Sequence, residues 1–448
     1  MNNSVILLGY SIKRRKLKFK NIFLIGIIIA CVIPKEMNLW KYESYNIGRP
    51  YGNSIALSLV MFICIAWFML GLKKFNISKR SLVNSLCNFL IFGILTIVFP
   101  ISRSIELYAI GAYKYIFYII LFVLLTNRMD FENFEQSLNI GFRISLVLQS
   151  AVGMLYVFFG ILIPFISNYS LSERNELSRM TASFSHPGDF SLYISILFLY
   201  FICKSLIGRD KSALKYALLG FIDLYLSGAR TMLITSFIVA FFIVLKKYKH
   251  NLIFKLVSIV TIIFLVDWFI HSSIFQNMFI INSIYDMFMA RFVHWIIGFK
   301  IMFANIQNFI FGVGLNYHVD YIDANYSNFS ELLLKASDVI SSDFVRRSPI
   351  HNSFLIIGTE LGICGLVLYL KIYLKGIRDA LVILKRDSTN KTNCYFIIGS
   401  FCIFMIYACQ GWALMKNFGW TLFILVNAYL FLLKKNTNAS KEKERYKL

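Results

Sequence analysis

Apolar residues in this chain recur in runs of about 20, the length a helix needs to cross a hydrocarbon layer roughly 30 Å thick. Candidate spans fall at 19–34, 54–72, 84–101, 105–126, 138–163, 188–207, 213–228, 230–245, 251–270, 351–374, 394–415 and 417–433. That makes about twelve, with the first and seventh short enough to be half-spans. The pattern divides the chain into 1–270, with spans 1 to 9 and a polar connection at 165–187; 271–350, a large polar loop; 351–433, with spans 10 to 12; and 434–448, a basic tail. The fold class it predicts is all-α, a polytopic transmembrane bundle with one large, partly helical loop.

Inside that loop, residues 291–306 read as a helix lying at the interface. At about 100° per residue, Arg291, His294, Gly298 and Asn305 share one narrow face, while Phe292, Trp295, Ile296 and Phe299 lie on the others. Gly312-Val313-Gly314 reads as the turn that closes this region, since no Lys-Ser/Thr follows to make it a phosphate loop.

Composition removes the soluble alternatives. The 448 residues are 58% hydrophobic and 15% charged, which excludes a single water-soluble core. The net charge of +23 would suggest nucleic acid in a soluble protein, but here the cations sit in short loops. Cytoplasmic enrichment of Lys and Arg explains the excess, with membrane lipid as the counterion and no nucleic-acid partner. The eight cysteines fall in or at the ends of apolar runs, so neither a disulfide framework nor zinc spacing is present. The basic run Lys13-Arg14-Arg15-Lys16 precedes an uncleaved first span. With both termini in the cytoplasm, the outer segments carry Arg49, Arg103, Arg174, Arg179, Arg230, Arg291, Arg346 and Arg347. Guanidinium is the better fork for phosphate, whereas Lys suffices for topology.

Several positions could carry chemistry. Ser348-Pro349 reads as an N-cap and first helical residue, which puts His351 in the first turn of span 10. There the positive helix end disfavours imidazolium and leaves a neutral ring able to accept a proton. Arg230 sits in the small-residue turn Ser227-Gly228-Ala229 between two spans, where an ionisable group implies a partner or a wet cavity. Read alone, His351 has a plainer account as an interfacial residue, and Arg230 as a side chain snorkelling to headgroups. Arg179 and His186 precede span 6, and Pro187 makes His186 extended, a loop anchor rather than a base. Glu360 is half a turn away from His351 around the helix, so it packs or supports the site from behind. Lys114, midway along span 4, faces the bundle interior or snorkels and is a candidate for binding. Asp320 and Asp323 are too common a spacing to claim a metal.

Four stretches in order resemble the O-antigen ligase and Wzy-type polymerase superfamily of bacterial polysaccharide assembly. They are Arg179 to Phe190, Leu226 to Leu233, Arg291 to Asn316 with its Phe-Gly-Val-Gly, and His351 to Gly365 with His-Asn and then Glu-Leu-Gly-Ile-x-Gly. Gly188 stands where the family pattern has Asn after His-Pro. The resemblance implies a glycosyltransferase of GT-C-like architecture with its site at the outer leaflet of the bacterial cytoplasmic membrane. The donor it implies is an undecaprenyl-pyrophosphate-linked oligosaccharide, with no cofactor and no metal. Arg230 and Arg291 would hold the pyrophosphate with help from Arg179, and His351 would be the general base of an inverting transfer. His294, His186, Asn352 and Glu360 would support them. A chain-length regulator is a candidate partner. A polymerase, joining one lipid-linked repeat unit to another to build O-antigen, capsule or a related polysaccharide, is the reading preferred; the alternatives are a ligase delivering the glycan to lipid A core, and a flippase or transporter.

Overall fold

The computed structural model describes residues 18–33, 36–41, 48–70, 81–96, 104–163, 173–174, 177–247, 281–330, 348–387, 389–412 and 415–445. The first half holds α1 (Phe19–Ala30), α2 (Leu59–Met69), α3 (Ser81–Leu95), α4 (Ile105–Arg128), α5 (Phe131–Phe159), α6 (Pro187–Leu206), α7 (Lys211–Leu226) and α8 (Arg230–Lys247). After them come α9 (Ile281–Met302), two short helices α10 (Ile306–Phe311) and α11 (His318–Ala324), α12 (Ser353–Arg386), α13 (Lys391–Ala408) and α14 (Asn417–Arg445). Arg103, Arg346, Arg347, the first-span flank Lys13 to Lys16 and the span expected at 251–270 lie outside the described residues.

The chain is an integral membrane protein. Six helices, α4, α5, α6, α12, α13 and the Asn417–Ala439 part of α14, are long and apolar enough to cross a membrane, and three shorter apolar stretches lie in α1, α2 and α3. The expected count of about twelve is thus met only in part among the described residues. At 213–228 the expected span is α7, of 16 residues. Apolar side chains at one-turn spacing, Leu214, Leu218 and Ile222 on α7 and Ile234, Phe237 and Ile238 on α8, stay exposed, as a lipid-facing stripe requires.

Two-stranded hairpins correct the all-α expectation. One is β1 (Glu36–Lys41) against β2 (Ser54–Ser58), and the other is β3 (Glu173–Arg174) against β4 (Leu177–Ser178), both antiparallel. The first takes the opening residues of the span expected at 54–72, where the helix begins only at Leu59, and the second lies in the polar connection at 165–187. In both, pairing satisfies backbone groups that no helix covers. The final helix also continues through the basic tail to Arg445.

The interior is organised around α6, which packs on α7, α8 and α13, and α14, which packs on α4, α5 and α12. Trp420 of α14 stacks on Tyr118 and meets Tyr115 edge-on, centring an aromatic cluster that reaches Tyr369 of α12. Buried phenols need partners, and Tyr51 and Tyr115 supply one to each other at 2.8 Å.

α12 is broken at Gly362, whose φ of 65° and ψ of −169° are open only to glycine. The break frees the carbonyls of Thr359 and Glu360, and the Gly312-Val313-Gly314 turn fills the gap. The Val313 N–H donates to Thr359 O at 2.8 Å and the Gly314 N–H to Glu360 O at 2.9 Å. Gly312, at φ 76° and ψ −172°, lies so close to Glu360 that a Cβ would sit 2.2 Å from its carbonyl carbon. Reciprocally, a Cβ on Gly362 would sit 2.3 Å from the carbonyl of Ile310. The two motifs, Phe-Gly-Val-Gly and Glu-Leu-Gly-Ile, are therefore the two halves of one backbone-to-backbone joint.

Candidate active site

Four chain segments meet at one end of the bundle. α6 begins with His186 as N-cap, extended at φ −143° and ψ 136° as Pro187 dictates, and its Nδ1 accepts from the Gly188 N–H at 3.0 Å. His186 therefore caps the start of α6 with its own ring nitrogen. Asp189, in the first turn of α6, accepts from Lys416 Nζ at 2.5 Å and from the Tyr407 hydroxyl at 3.3 Å. This ion pair ties the start of α6 to the segment between α13 and α14.

The second segment is the α7–α8 turn, which places Arg230 as the first residue of α8. Arg179 reaches across to it, donating from Nε to Ser227 O and from Nη2 to Gly228 O, both at 3.1 Å. Those carbonyls end α7 and accept a cation well. Arg179 thus fixes the turn that carries Arg230.

α9 supplies the third segment. It runs Ile281–Met302, not 291–306, because the polypeptide leaves the helix after Met302 and Asn305 restarts it as the N-cap of α10, accepting from Asn308 N at 2.7 Å. Asn305 therefore drops off the expected polar face, while Arg291, His294 and Gly298 keep it. Phe292 and Phe299 are exposed on the opposite side and His294 is fully buried.

The fourth segment holds His351. α12 starts at Ser353 with Asn352 as N-cap, accepting from Leu355 N at 3.0 Å, so Ser348 and Pro349 precede the helix and His351 lies just before it, not in its first turn. Asn caps as well as Ser, and here its oxygen is the one in reach of the free N–H. The His351 ring stacks on His294 with centroids 5.2 Å apart and planes 11° apart, the two Nδ1 atoms are 3.2 Å from each other, and the edge of Trp412 closes the other side at 4.6 Å. Burial first, then His294, Arg291 and His186, push the His351 pKa down to about 3, with a hydrogen bond to the Pro349 backbone pulling the other way. Burial and His318 take His294 down to about 4. His351 is neutral at ordinary pH and can accept a proton.

Arg179, His186, Arg230, Arg291 and His351 line one cavity of about 330 Å³, together with Asp189, Tyr407, Trp412 and Lys416. Four cations face a single carboxylate, so the cavity favours an anion. Of the remaining expected residues, His294 backs the His351 ring from behind, Asn352 is spent on its cap, and Glu360 is fully buried elsewhere. Glu360 accepts from His318 Nδ1 at 2.7 Å, and His318 Nε2 lies 3.4 Å from the Ile350 N–H, one residue before His351.

Sequence reasoning missed His318, Asp189, Tyr407, Trp412 and Lys416. Asp189 had a signal, an acid in the first turn after a Pro-led helix start, and Lys416 stood between two expected spans. Nothing local marked His318, which acts from 42 residues away from its partner. Among the described residues no group of three or more potential ligands could hold a metal ion.

Residues 216–370, about a third of the chain, match a family model described as O-Antigen ligase. The segment contains Arg230, Arg291, His294, His318, His351 and Glu360, and the resemblance carried by three of the four stretches is thereby shown; Arg179 to Phe190 lies before it and Lys416 after it. No curated protein matches the chain.

Proposed function

We propose that the chain is a polysaccharide polymerase of the cytoplasmic membrane, transferring a glycan from one undecaprenyl-pyrophosphate carrier to a second lipid-linked repeat unit at the outer face. The observation that carries this is the convergence of Arg230, Arg291 and His351 on one cavity, from segments far apart in sequence. Cations at the other end of the bundle, Lys375, Lys385, Arg386 and Lys434, support a cytoplasmic placement of that end.

His351 takes the proton from the attacking sugar hydroxyl as the new oxygen–carbon bond forms. The bond from the anomeric carbon to the pyrophosphate oxygen breaks on the opposite face, giving inversion, and its electron pair leaves with the lipid pyrophosphate. Arg230 and Arg291 meet that charge as it grows, with no reorganisation needed at the moment of reaction. Arg291 is one of the groups that depress the pKa of His351, after burial and His294, and a bound pyrophosphate neutralises that part of the shift, raising the imidazole towards the range where a base is more effective.

The test is polysaccharide banding in a deletion strain complemented with Arg230→Ala, Arg291→Ala or His351→Ala, with membrane protein quantified in parallel. Each variant is expected to leave one repeat unit on its acceptor at normal protein level. Full-length polymer in all three overturns the proposal, and no repeat unit at all in the deletion moves the assignment to the ligase.

A further inference from the structure

A second cavity of about 310 Å³ adjoins the first, and the Asp189–Lys416 ion pair lines both. Its other polar lining includes Arg49, Lys114, Ser58, Ser185 and Asn417. Arg49 is held rigidly, with Nε and Nη2 on the Asp320 carboxylate at 2.9 and 2.5 Å and Nη1 on Asn53 at 2.6 Å. Lys114 projects from the middle of α4, only 6% exposed, into this space. A lysine inside a span is costly unless a wet cavity or an anion receives it. Three cations, Arg49, Lys114 and Lys416, stand here against the carboxylates of Asp189 and Asp320, leaving the walls positive.

Resting on the polymerase reading above, we infer that this cavity holds the pyrophosphate of the acceptor, so that the protein binds two lipid pyrophosphates side by side. The acceptor keeps its own carrier throughout the transfer, because only the donor's bond to pyrophosphate is broken. Its diphosphate therefore needs a cradle separate from the donor's and within one repeat unit of His351. The second cavity meets both conditions, opening at the same end of the bundle across a single ion pair. Lys114 and Lys416 act as point charges, and the fork of Arg49 is already spent on Asp320, so this cradle is weaker than the arginine-rich donor cavity. That ordering suits a molecule that must arrive and be released once per cycle.

The experiment counts undecaprenyl pyrophosphate bound to the full-length protein in nanodiscs by native mass spectrometry. The wild type is expected to bind two, and Lys114→Met one. Lys114→Arg, which keeps the charge, retains two and shows that loss in the Met variant is not misfolding. Arg291→Ala is expected to retain one, with the remaining site weakened more than tenfold by adding Lys114→Met. A single bound lipid in the wild type, lost in Arg291→Ala and indifferent to Lys114→Met, overturns the second site and leaves the donor assignment standing. Loss in Lys114→Met with no response to Arg291→Ala overturns the donor assignment instead.

Discussion

Replacing Gly312 with alanine tests the joint between the Gly312-Val313-Gly314 turn and α12. The backbone there lies in a region essentially closed to residues with a side chain, a strain of about 1–3 kcal/mol. The new methyl would also meet Glu360 C at 2.2 Å, its O at 2.3 Å and Leu361 N at 2.4 Å, all backbone atoms that cannot rotate aside. Overpacking of that kind adds about 1–3 kcal/mol. The alternative is for the turn to lift off, which forfeits the two bonds to Thr359 and Glu360 and leaves their buried carbonyls unmet at roughly 1–3 kcal/mol each. Both routes come to about 4 kcal/mol, a large part of the roughly 5–15 kcal/mol that holds a typical protein folded. Gly160 provides the control, since it has φ 65° and ψ 11° and nothing within 4 Å of a built Cβ. Gly160→Ala should cost only the left-handed penalty of about 1–2 kcal/mol. Thermal unfolding in detergent should therefore separate the two variants by several degrees, with Gly312→Ala lower and its polymer lost. Equal melting temperatures for the two would refute the account of the joint.

Lowering pH should destabilise the protein: with His351 held near 3 and His294 near 4, the unfolded chain binds more protons than the folded one below about 6.5, so stability is full above that value and is lost as pH falls towards 4. A melting temperature flat between pH 7.5 and 4.5 would contradict this. In kinetics, the acid limb of kcat should lie at higher pH than that of kcat/KM, since bound pyrophosphate masks Arg291; coincident limbs would remove His351 as the base. Glu360→Gln should keep the fold and lower kcat about tenfold, whereas Glu360→Ala, which strips a buried pair of one partner, should cost about 3–5 kcal/mol of stability, read by melting. Asp189→Asn should loosen the ion pair to Lys416 and raise the substrate concentration needed for half-maximal polymer synthesis several-fold, an outcome absent if that pair is only a surface contact.

Much of this was legible in the chain because membrane spans announce themselves by length and apolarity, and because Arg and His in a nearly uncharged sequence stand out. The extended backbone of His186 followed from Pro187 alone. The limits of α9 did not, since Asn305 reads equally well as helix or cap and only the fold decides. The start of α12 failed for the same reason, with Ser348-Pro349 and Asn352 offering rival caps. Arg179 was read as a ligand for pyrophosphate, but its first partners are carbonyls at the end of α7, a role no spacing rule could reveal. The pairing of Glu360 with His318 depends on the joint at Gly312 and Gly362, a long-range contact whose motifs were visible while their mutual fit was not.

The Arg49–Asp320 contact couples the hairpin between α1 and α2 to α11, 271 residues away. Asp320 belongs to the segment matched by the family model and Arg49 does not. A chimera that grafts residues 216–370 into the frame of another protein matching the same family model would import an acid whose counter-ion stayed behind, at a penalty of about 3 kcal/mol or more. Successful recombination between such proteins should therefore require the hairpin between α1 and α2 to travel with residues 216–370.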